Sequence, residues 1–526
     1  MKKITKDIGT SARKTVLLML TSLISRLLGF LRIGIISFIF GASVEADVIH
    51  SVFSIPNNLR KLLSEGALSA AFIPVISQSL IADPSRRESS KIIKNLLTLQ
   101  FLILAPFLLF STIFPEFVMR TFLNFSDPET LKLASSLFRY LVHYILFVSF
   151  SAVIMGALNS NDEFTIPGLT PIIFSLSVIG SLLIFHRQLG IFAMAVGVLV
   201  GGLGQILFQL PKFSKLGYRF TFNFTFNNAR FRQILRNWGP ILCSSAIFAV
   251  NQQIAYRFAS AMESGSTTAL SNAIVFWQLP YGIFSASIIT VLFPKMSSQI
   301  AAGRRQDTAR TIEFGISAIM TFLIPASAAM MLMAPELIST ALQRGAFTVT
   351  DTIFSAEVLF WYSPGLVFVG INMFLQRLHF SSNETRIPVI NALIITVLDV
   401  FLSLWLKETV LRVRGLALAN TLSYAGATFW LFYQTKKRFS DFYFWPVLRN
   451  LLKIIPAILP GIFIILIGKS LFGDYWISGS SLENLARFLA VAVPAAGSII
   501  LMFAVFRLET LYIFIKKGPQ KNDHNR

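Results

Sequence analysis

Cysteine is almost missing from this chain of 526 residues: Cys243 stands alone, so no internal disulfide can form and paired-thiol redox chemistry is excluded. Charge is scarce as well. Asp, Glu, Lys and Arg make up only 13% of the residues, against roughly 25% in ordinary soluble domains. The five histidines, His50, His143, His186, His379 and His524, show no metal-ligand spacing among themselves or with Cys243, which speaks against a metal hydrolase. No G-x-x-x-x-G-K-[ST] loop occurs, which excludes ATP hydrolysis of the P-loop kind. No close aspartate pair lies within an apolar run either, so the metal-binding carboxylates of a membrane glycosyl- or phosphotransferase are lacking.

What the chain has in excess is apolar surface, with 54% hydrophobic residues and a mean hydropathy of +0.67. A bilayer core of about 30 Å needs roughly 20 apolar residues per helix. Apolar runs predict helices near 15–41, 46–80, 91–121, 133–158, 165–186, 190–211, 232–262, 269–300, 311–341, 352–379, 386–406, 414–435, 446–470 and 484–514. The expected fold class is thus all-α and integral to the membrane, with fourteen transmembrane helices. The polar start (Lys2, Lys3, Lys6, Arg13, Lys14) leads into a run too long for a signal-peptide core and without a small-residue cleavage site. The first helix is expected to be retained.

The formal charge of +21 does not point to nucleic acid, because most of the 46 Lys and Arg residues fall in the two tails and the even-numbered loops. By the positive-inside rule both termini are expected in the cytoplasm. The richest such stretch, Lys212, Lys215, Arg219, Arg230, Arg232 and Arg236, lies midway between helices 1 and 12 and reads as a linker. Helix 2 carries Val52-Phe53, Pro56, Pro74, Ser77 and then Arg86-Arg87; helix 8 carries Val275-Phe276, Pro280, Pro294, Ser297 and then Arg304-Arg305. The same order six helices later predicts two six-helix lobes of one orientation around a central cavity. The expected organisation is an N-terminal lobe 1–211 (helices 1–6), a basic cytoplasmic linker 212–231, a C-terminal lobe 232–438 (helices 7–12), helices 13–14 in 439–515, and a cytoplasmic tail 516–526. Gly197, Gly201, Gly202 and Gly204 fall inside helix 6, where small residues permit close helix packing.

The charges of helices 1 and 2 are the informative ones. SRLLGFLR places Arg26 and Arg32 in an apolar helix; Asp47 follows at the start of helix 2, and IPNNLRKLLSEGA supplies Asn57, Arg60, Lys61 and Glu65. An arginine at mid-membrane costs roughly 2.5 to 3.5 kcal/mol on insertion scales, so each needs a partner. One reading is structural: Asp47 and Glu65 pair with two cations while Arg32 or Lys61 snorkels to an interface. The other follows from arithmetic. Four cations face two anions, and the surplus suits an anionic ligand, with the arginine fork fitting phosphate oxygens in two-point contact. Pro56 and Gly66 bracket this basic face, either as the weak points of a gate or as packing devices. In helix 11 Asp399 is an isolated intramembrane carboxylate.

SRLLGFLR, FGASVEAD, IPNNLRKLLSEGALSAAFIPV, QLPKFSKLG from Gln209, GAFTVTD from Gly345 and NETRIPV from Asn383 closely resemble the MurJ-type lipid II flippases of the MOP exporter superfamily. The resemblance runs from helix 1 through helix 12. It implies a transporter, not an enzyme, that moves the undecaprenyl-diphosphate-linked disaccharide-pentapeptide precursor of peptidoglycan across the bacterial cytoplasmic (inner) membrane by alternating access. On that carry-over Arg26, Arg32 and Arg60 match the cavity arginines that bind the head group. Asp47 and Glu65 match acidic positions that help set the gate and balance those charges, with Asn57 and Gly66 of the same helix as further gate candidates, and helices 13 and 14 would form the groove for the lipid tail. The protein is expected to act as a monomer within membrane lipid, with cell-wall synthesis proteins as the partners the family suggests.

This chain departs from the pattern in places. Ile33 stands where the family is usually acidic, and Val275 where many relatives carry another cavity arginine. Arg257 in helix 7 either substitutes for that cation or snorkels at the outer end of its helix. Asp399 and Asn420 match two positions of a sodium site described for some members, but Ala255 and Ile395 leave it incomplete. Sodium or proton coupling through Asp399, and a protonated Asp399 that only bonds a neighbouring helix, remain as alternatives. An ion-coupled exporter of another glycolipid or of drugs is the alternative function on the same scaffold; for cationic drugs its cavity should be acidic, whereas this one is basic.

Overall fold

The computed structural model describes residues 21, 24–63, 67–224, 226–382, 384–473, 476 and 479–508. Among them all regular structure is helical. The chain divides into two compact units, residues 1–268 with 344–347, and residues 269–343 with 348–526.

The first unit opens with α1 (24–40), then α2 (Val44–Leu63), α3 (Ala67–Ala82), α4 (Arg87–Ile113), α5 (Pro115–Phe122), α6 (Pro128–Leu141), α7 (Tyr144–Ser160), α8 (Thr165–Leu189), α9 (Phe192–Lys215) and α10 (Ala229–Ala259). Asp127 starts α6 by accepting from the Thr130 amide, and Asn228 starts α10 by accepting from the amides of Arg230 and Phe231. The core of this unit is built from Phe72 and Ile76 of α3, Ile93 and Leu97 of α4, and Val153 and Ile154 of α7, all at most 1% exposed. The glycine run of α9 lets neighbouring backbone and side chains approach its own backbone closely. A Cβ at Gly197 would stand 2.7 Å from the Val178 Cα, and one at Gly202 would stand 2.8 Å from the Tyr144 ring. Close helix packing is therefore what these glycines provide, as the sequence suggests.

The second unit holds most of α11 (Ser266–Pro280), a π turn (Tyr281–Ser285), α12 (Ala286–Ala301), α13 (Arg305–Leu332), α14 (Ala334–Leu342), α15 (Val349–Tyr362), α16 (Gly365–Ser381), α17 (Arg386–Leu406), α18 (Val413–Arg438), α19 (Phe444–Phe472) and α20 (Ser481–Val505). In the α19–α20 hairpin, Gly461 and Gly468 let Ile499 and Val491 approach. Ser480 and Glu483 form a reciprocal capping box at the start of α20.

Among the described residues each of the fourteen apolar stretches contains helix, but several are broken. Pro115, Pro335 and Pro364 sit at or just before the start of a second segment, where a missing N–H costs nothing. Nine helices among the described residues are long and apolar enough to cross a membrane, or ten if α15 and α16, bent by 45°, make one span. Among the remaining helices α3, α5 and α14 are too short for that criterion, whereas α2 is polar, with Glu45, Asp47, Arg60 and Lys61, and α18 ends in Lys436, Lys437 and Arg438.

Candidate functional site

Helix α2 presents two polar faces with different duties. Residues 50, 53, 57 and 60 recur at helical spacing and form one stripe: His50, Phe53, Asn57 and Arg60. Residues 54 and 58 lie on another. There the Asn58 Nδ2 donates to the Gln253 Oε1 at 3.1 Å, the Ser54 hydroxyl lies 3.1 Å from the same oxygen, and the Gln253 amide donates to the Phe122 carbonyl at 3.3 Å. The second face is thus locked to α10.

The first face receives Arg32. Its guanidinium carbon lies 5.6 Å from the centre of the Phe53 ring and 5.4 Å from that of Phe174, within the roughly 6 Å reach of a cation–π contact. Phe53, Phe174 and Tyr144 pack as a triangle, with ring centres 6.3, 5.0 and 6.3 Å apart. Among the described residues no carboxylate pairs with Arg32. Arg60 and His50 both lie within electrostatic reach of it. One turn along α2, the Arg60 Nη2 and Nε donate to the Asn57 Oδ1 at 3.1 and 3.3 Å, which fixes the fork against its own helix. The structure thereby brings Arg32, Asn57 and Arg60 to one face. Arg26 is exposed on α1. Glu65 and Gly66 lie outside the described residues, and α2 runs unbroken through Pro56.

Asp47 forms its hydrogen bonds with residues 265–268. Its Oδ2 accepts from the Gly265 amide at 2.7 Å, and its Oδ1 accepts from both the amide and the hydroxyl of Thr268 at 2.7 Å. A buried carboxylate placed on free N–H groups at a helix start is well satisfied there. Beside it, the loop at 41–43 is closed by residues 344–347, where the Ala346 amide donates to the Phe38 carbonyl at 2.9 Å. Gly41 (φ +62°) and Gly345 (φ +59°) both adopt the left-handed conformation. A Cβ on Gly41 would stand 2.5 Å from the Ala346 oxygen, and one on Gly345 would stand 2.4 Å from the Phe38 oxygen. FGAS and GAFT are therefore the two halves of one backbone clasp, a role that one-dimensional spacing cannot reveal.

Arg257 holds the C-terminal end of α5. Its Nη1 donates to the carbonyls of Arg120 at 2.9 Å, of Thr121, and of Leu123 at 3.4 Å. A cation on the orphan carbonyls of a helix C-terminus is favourable.

In the second unit Asp399 is buried on α17, on the stripe that also carries Asn391, Ile395 and Ser403, and Tyr424 of α18 lies within its electrostatic reach. Asn420 is half-buried on α18. The sequence reading missed a nearby amide network. The Asn372 Nδ2 donates to the Thr428 hydroxyl at 3.1 Å, while its Oδ1 accepts from Gln376 at 2.6 Å and from Asn391 at 2.9 Å. Three amides within apolar runs were the available signal. Among the described residues no group of three or more His, Cys, Asp or Glu could hold a metal.

A family model described as lipid II flippase MurJ matches residues 36–487. The probable lipid II flippase MurJ of Borreliella burgdorferi is 31% identical over 503 residues, covering 96% of this chain and 98% of the relative. That of Thermotoga maritima is 28% identical over 430 residues, covering 82% and 86%. Among solved structures, a lipid II flippase MurJ in an inward closed conformation superposes with a TM-score of 0.79 at 24% identity, over 95% of this chain and 100% of that one. An inward-facing MATE family multidrug resistance transporter of the MOP superfamily follows the same fold with a TM-score of 0.66 at 16% identity, over 80% and 98%. With 31% identity along nearly its whole length and a family model spanning most of it, the chain belongs to the MurJ family of lipid II flippases.

Proposed function

We propose that this protein moves lipid II from the inner to the outer leaflet of the bacterial cytoplasmic membrane by alternating access, and that the α1–α2 cations hold its diphosphate and sugar head group. The observation that carries this reading is Arg32: it lies over Phe53 and Phe174 with no carboxylate partner among the described residues, beside the Arg60 fork. Two guanidinium groups near one another repel, and a ligand with two phosphates offsets that repulsion while filling their hydrogen-bond donors. Asp47 supports the site from outside it, by fixing the start of α2 to residues 265–268.

The finer organisation follows from the same reading. Fourteen spans put both termini in the cytoplasm, with a monomer as the working form. α19 and α20 offer the lipid tail an apolar surface, with Leu459, Phe463, Leu489 and Val493 exposed. Coupling to sodium or to protons would run through Asp399, with Asn420 as a further oxygen ligand for a cation. Cell-wall synthesis proteins are the partners that the substrate suggests. A drug exporter on this scaffold is disfavoured, since cationic drugs need acidic groups where Arg32 and Arg60 stand.

The test is an outer-leaflet accessibility assay in cells whose only lipid II flippase is this protein, with and without membrane potential. The precursor should become accessible outside, and depletion should confine it to the cytoplasmic side. Accessibility unchanged on depletion, or export of small cations with no effect on the precursor, would overturn the reading.

A further inference from the structure

The α3–α4 loop and the end of α9 line an open cavity of about 490 Å³ whose walls include Ser85, Arg86, Arg87, Ser90, Lys215 and Gly217, and among the described residues no carboxylate lines it. The acids around it are already engaged. Asp83 accepts from the Ser85 amide at 3.1 Å and the Glu88 amide at 3.0 Å, Glu88 pairs with Arg230 at 3.2 Å, and Glu163 pairs with Lys212 at 2.6 Å. Arg86, in the left-handed conformation at φ 62°, donates to the Leu216 carbonyl and ties the two walls together. Arg87 and Lys215 are exposed, and among the described residues neither side chain forms an ion pair, although the Arg87 backbone amide bonds the Asp83 carboxylate. Below the cavity α9 carries an exposed apolar stripe at helical spacing: Val200 at 57%, Leu203 at 45% and Leu207 at 56%, then Pro211, and finally Lys215. Cations at the top of an apolar, outward-facing stripe match a phosphate at the top of an acyl chain.

We propose that this cavity binds the phosphate of an anionic phospholipid, held by Arg87 and Lys215, with an acyl chain along the α9 stripe. The site is separate from the α1–α2 arginines, so it stands whether or not those arginines hold the transported head group. The stripe is what favours a lipid over a free phosphate ion, which would gain nothing from it.

The experiment measures binding of short-chain phosphatidylglycerol, phosphatidylcholine and inorganic phosphate to the full-length protein in detergent, for the native chain and for R87Q/K215Q and K132Q. The native chain should prefer phosphatidylglycerol. The double variant should lose about 25-fold in that affinity, at about fivefold per surface cation, and K132Q should match the native chain. The preference of the native chain should also weaken as salt rises, a readout that needs no variant. Equal binding of phosphatidylcholine, an unchanged preference in R87Q/K215Q, or full displacement by equimolar inorganic phosphate would overturn the proposal.

Discussion

The guanidinium carbon of Arg32 lies 5.4 Å from the centre of the Phe174 ring, so an aromatic face rather than a carboxylate holds this cation. Such contacts contribute about 0.5 to 2 kcal/mol. Phe174→Leu should therefore lower the flipping rate at limiting precursor roughly 2- to 30-fold with helix content unchanged, while Phe174→Tyr, which keeps the ring, should restore it. Reconstituted vesicles with a labelled precursor give the rate, and circular dichroism gives the helix content.

Asp47 accepts three hydrogen bonds from Gly265 and Thr268. Asp47→Ala leaves buried N–H groups without an acceptor and should cost about 3 kcal/mol, with Asp47→Asn intermediate because its amide oxygen still accepts. Thermal unfolding in detergent should show that order of melting temperatures; equal values for all three chains would mean that the carboxylate does not hold this junction.

Gly345→Ala should destabilise more than an alanine at an ordinary turn glycine. The new methyl group would meet the Phe38 carbonyl at 2.4 Å in a left-handed backbone that itself costs roughly 1 to 2 kcal/mol. Gly217→Ala is the control, since its φ of +87° is also left-handed but nothing lies within 4 Å. Melting temperatures that fall equally for both would leave the 344–347 clasp without energetic weight.

Much of this was legible in the amino-acid order, and the exceptions have physical causes. Long apolar runs mark helices directly, so α8, α9, α17 and α19 begin and end within a few residues of expectation. The breaks at Pro115, Pro335 and Pro364 were less visible, because apolar runs continue across them. Pro56 looked like a weak point, yet α2 passes through it intact. At the candidate site the surplus of positive charge could be counted from the sequence. The aromatic triangle, the Asp47 junction and the Arg257 cap could not, since each joins residues more than 20 positions apart and depends on which helix faces which.

The α6 start gives a pH signature. The hydroxyl and amide of Thr130 hold the Asp127 carboxylate below its ordinary value. A carboxylate depressed in the folded state stabilises above its unfolded pKa of about 3.9 and loses that contribution as pH falls through the folded value. Amide exchange at Thr130 and Leu131 should therefore quicken, relative to the rest of α6, below about pH 4. In Asp127→Asn that acid-specific change should vanish; an identical pH profile in the variant would show that the cap does not titrate with folding.

The account is tested most directly by the affinity of purified full-length protein for a polyprenyl diphosphate lipid, measured for the native chain, Arg32→Gln, Arg60→Gln and the double variant. Charge-assisted hydrogen bonds of about 1.5 to 3 kcal/mol predict a loss of about tenfold or more for each single change. In the double variant the preference for diphosphate over monophosphate lipid should disappear while the melting temperature is kept. Native affinity and preference in the double variant would contradict the assignment of these two arginines to the head group.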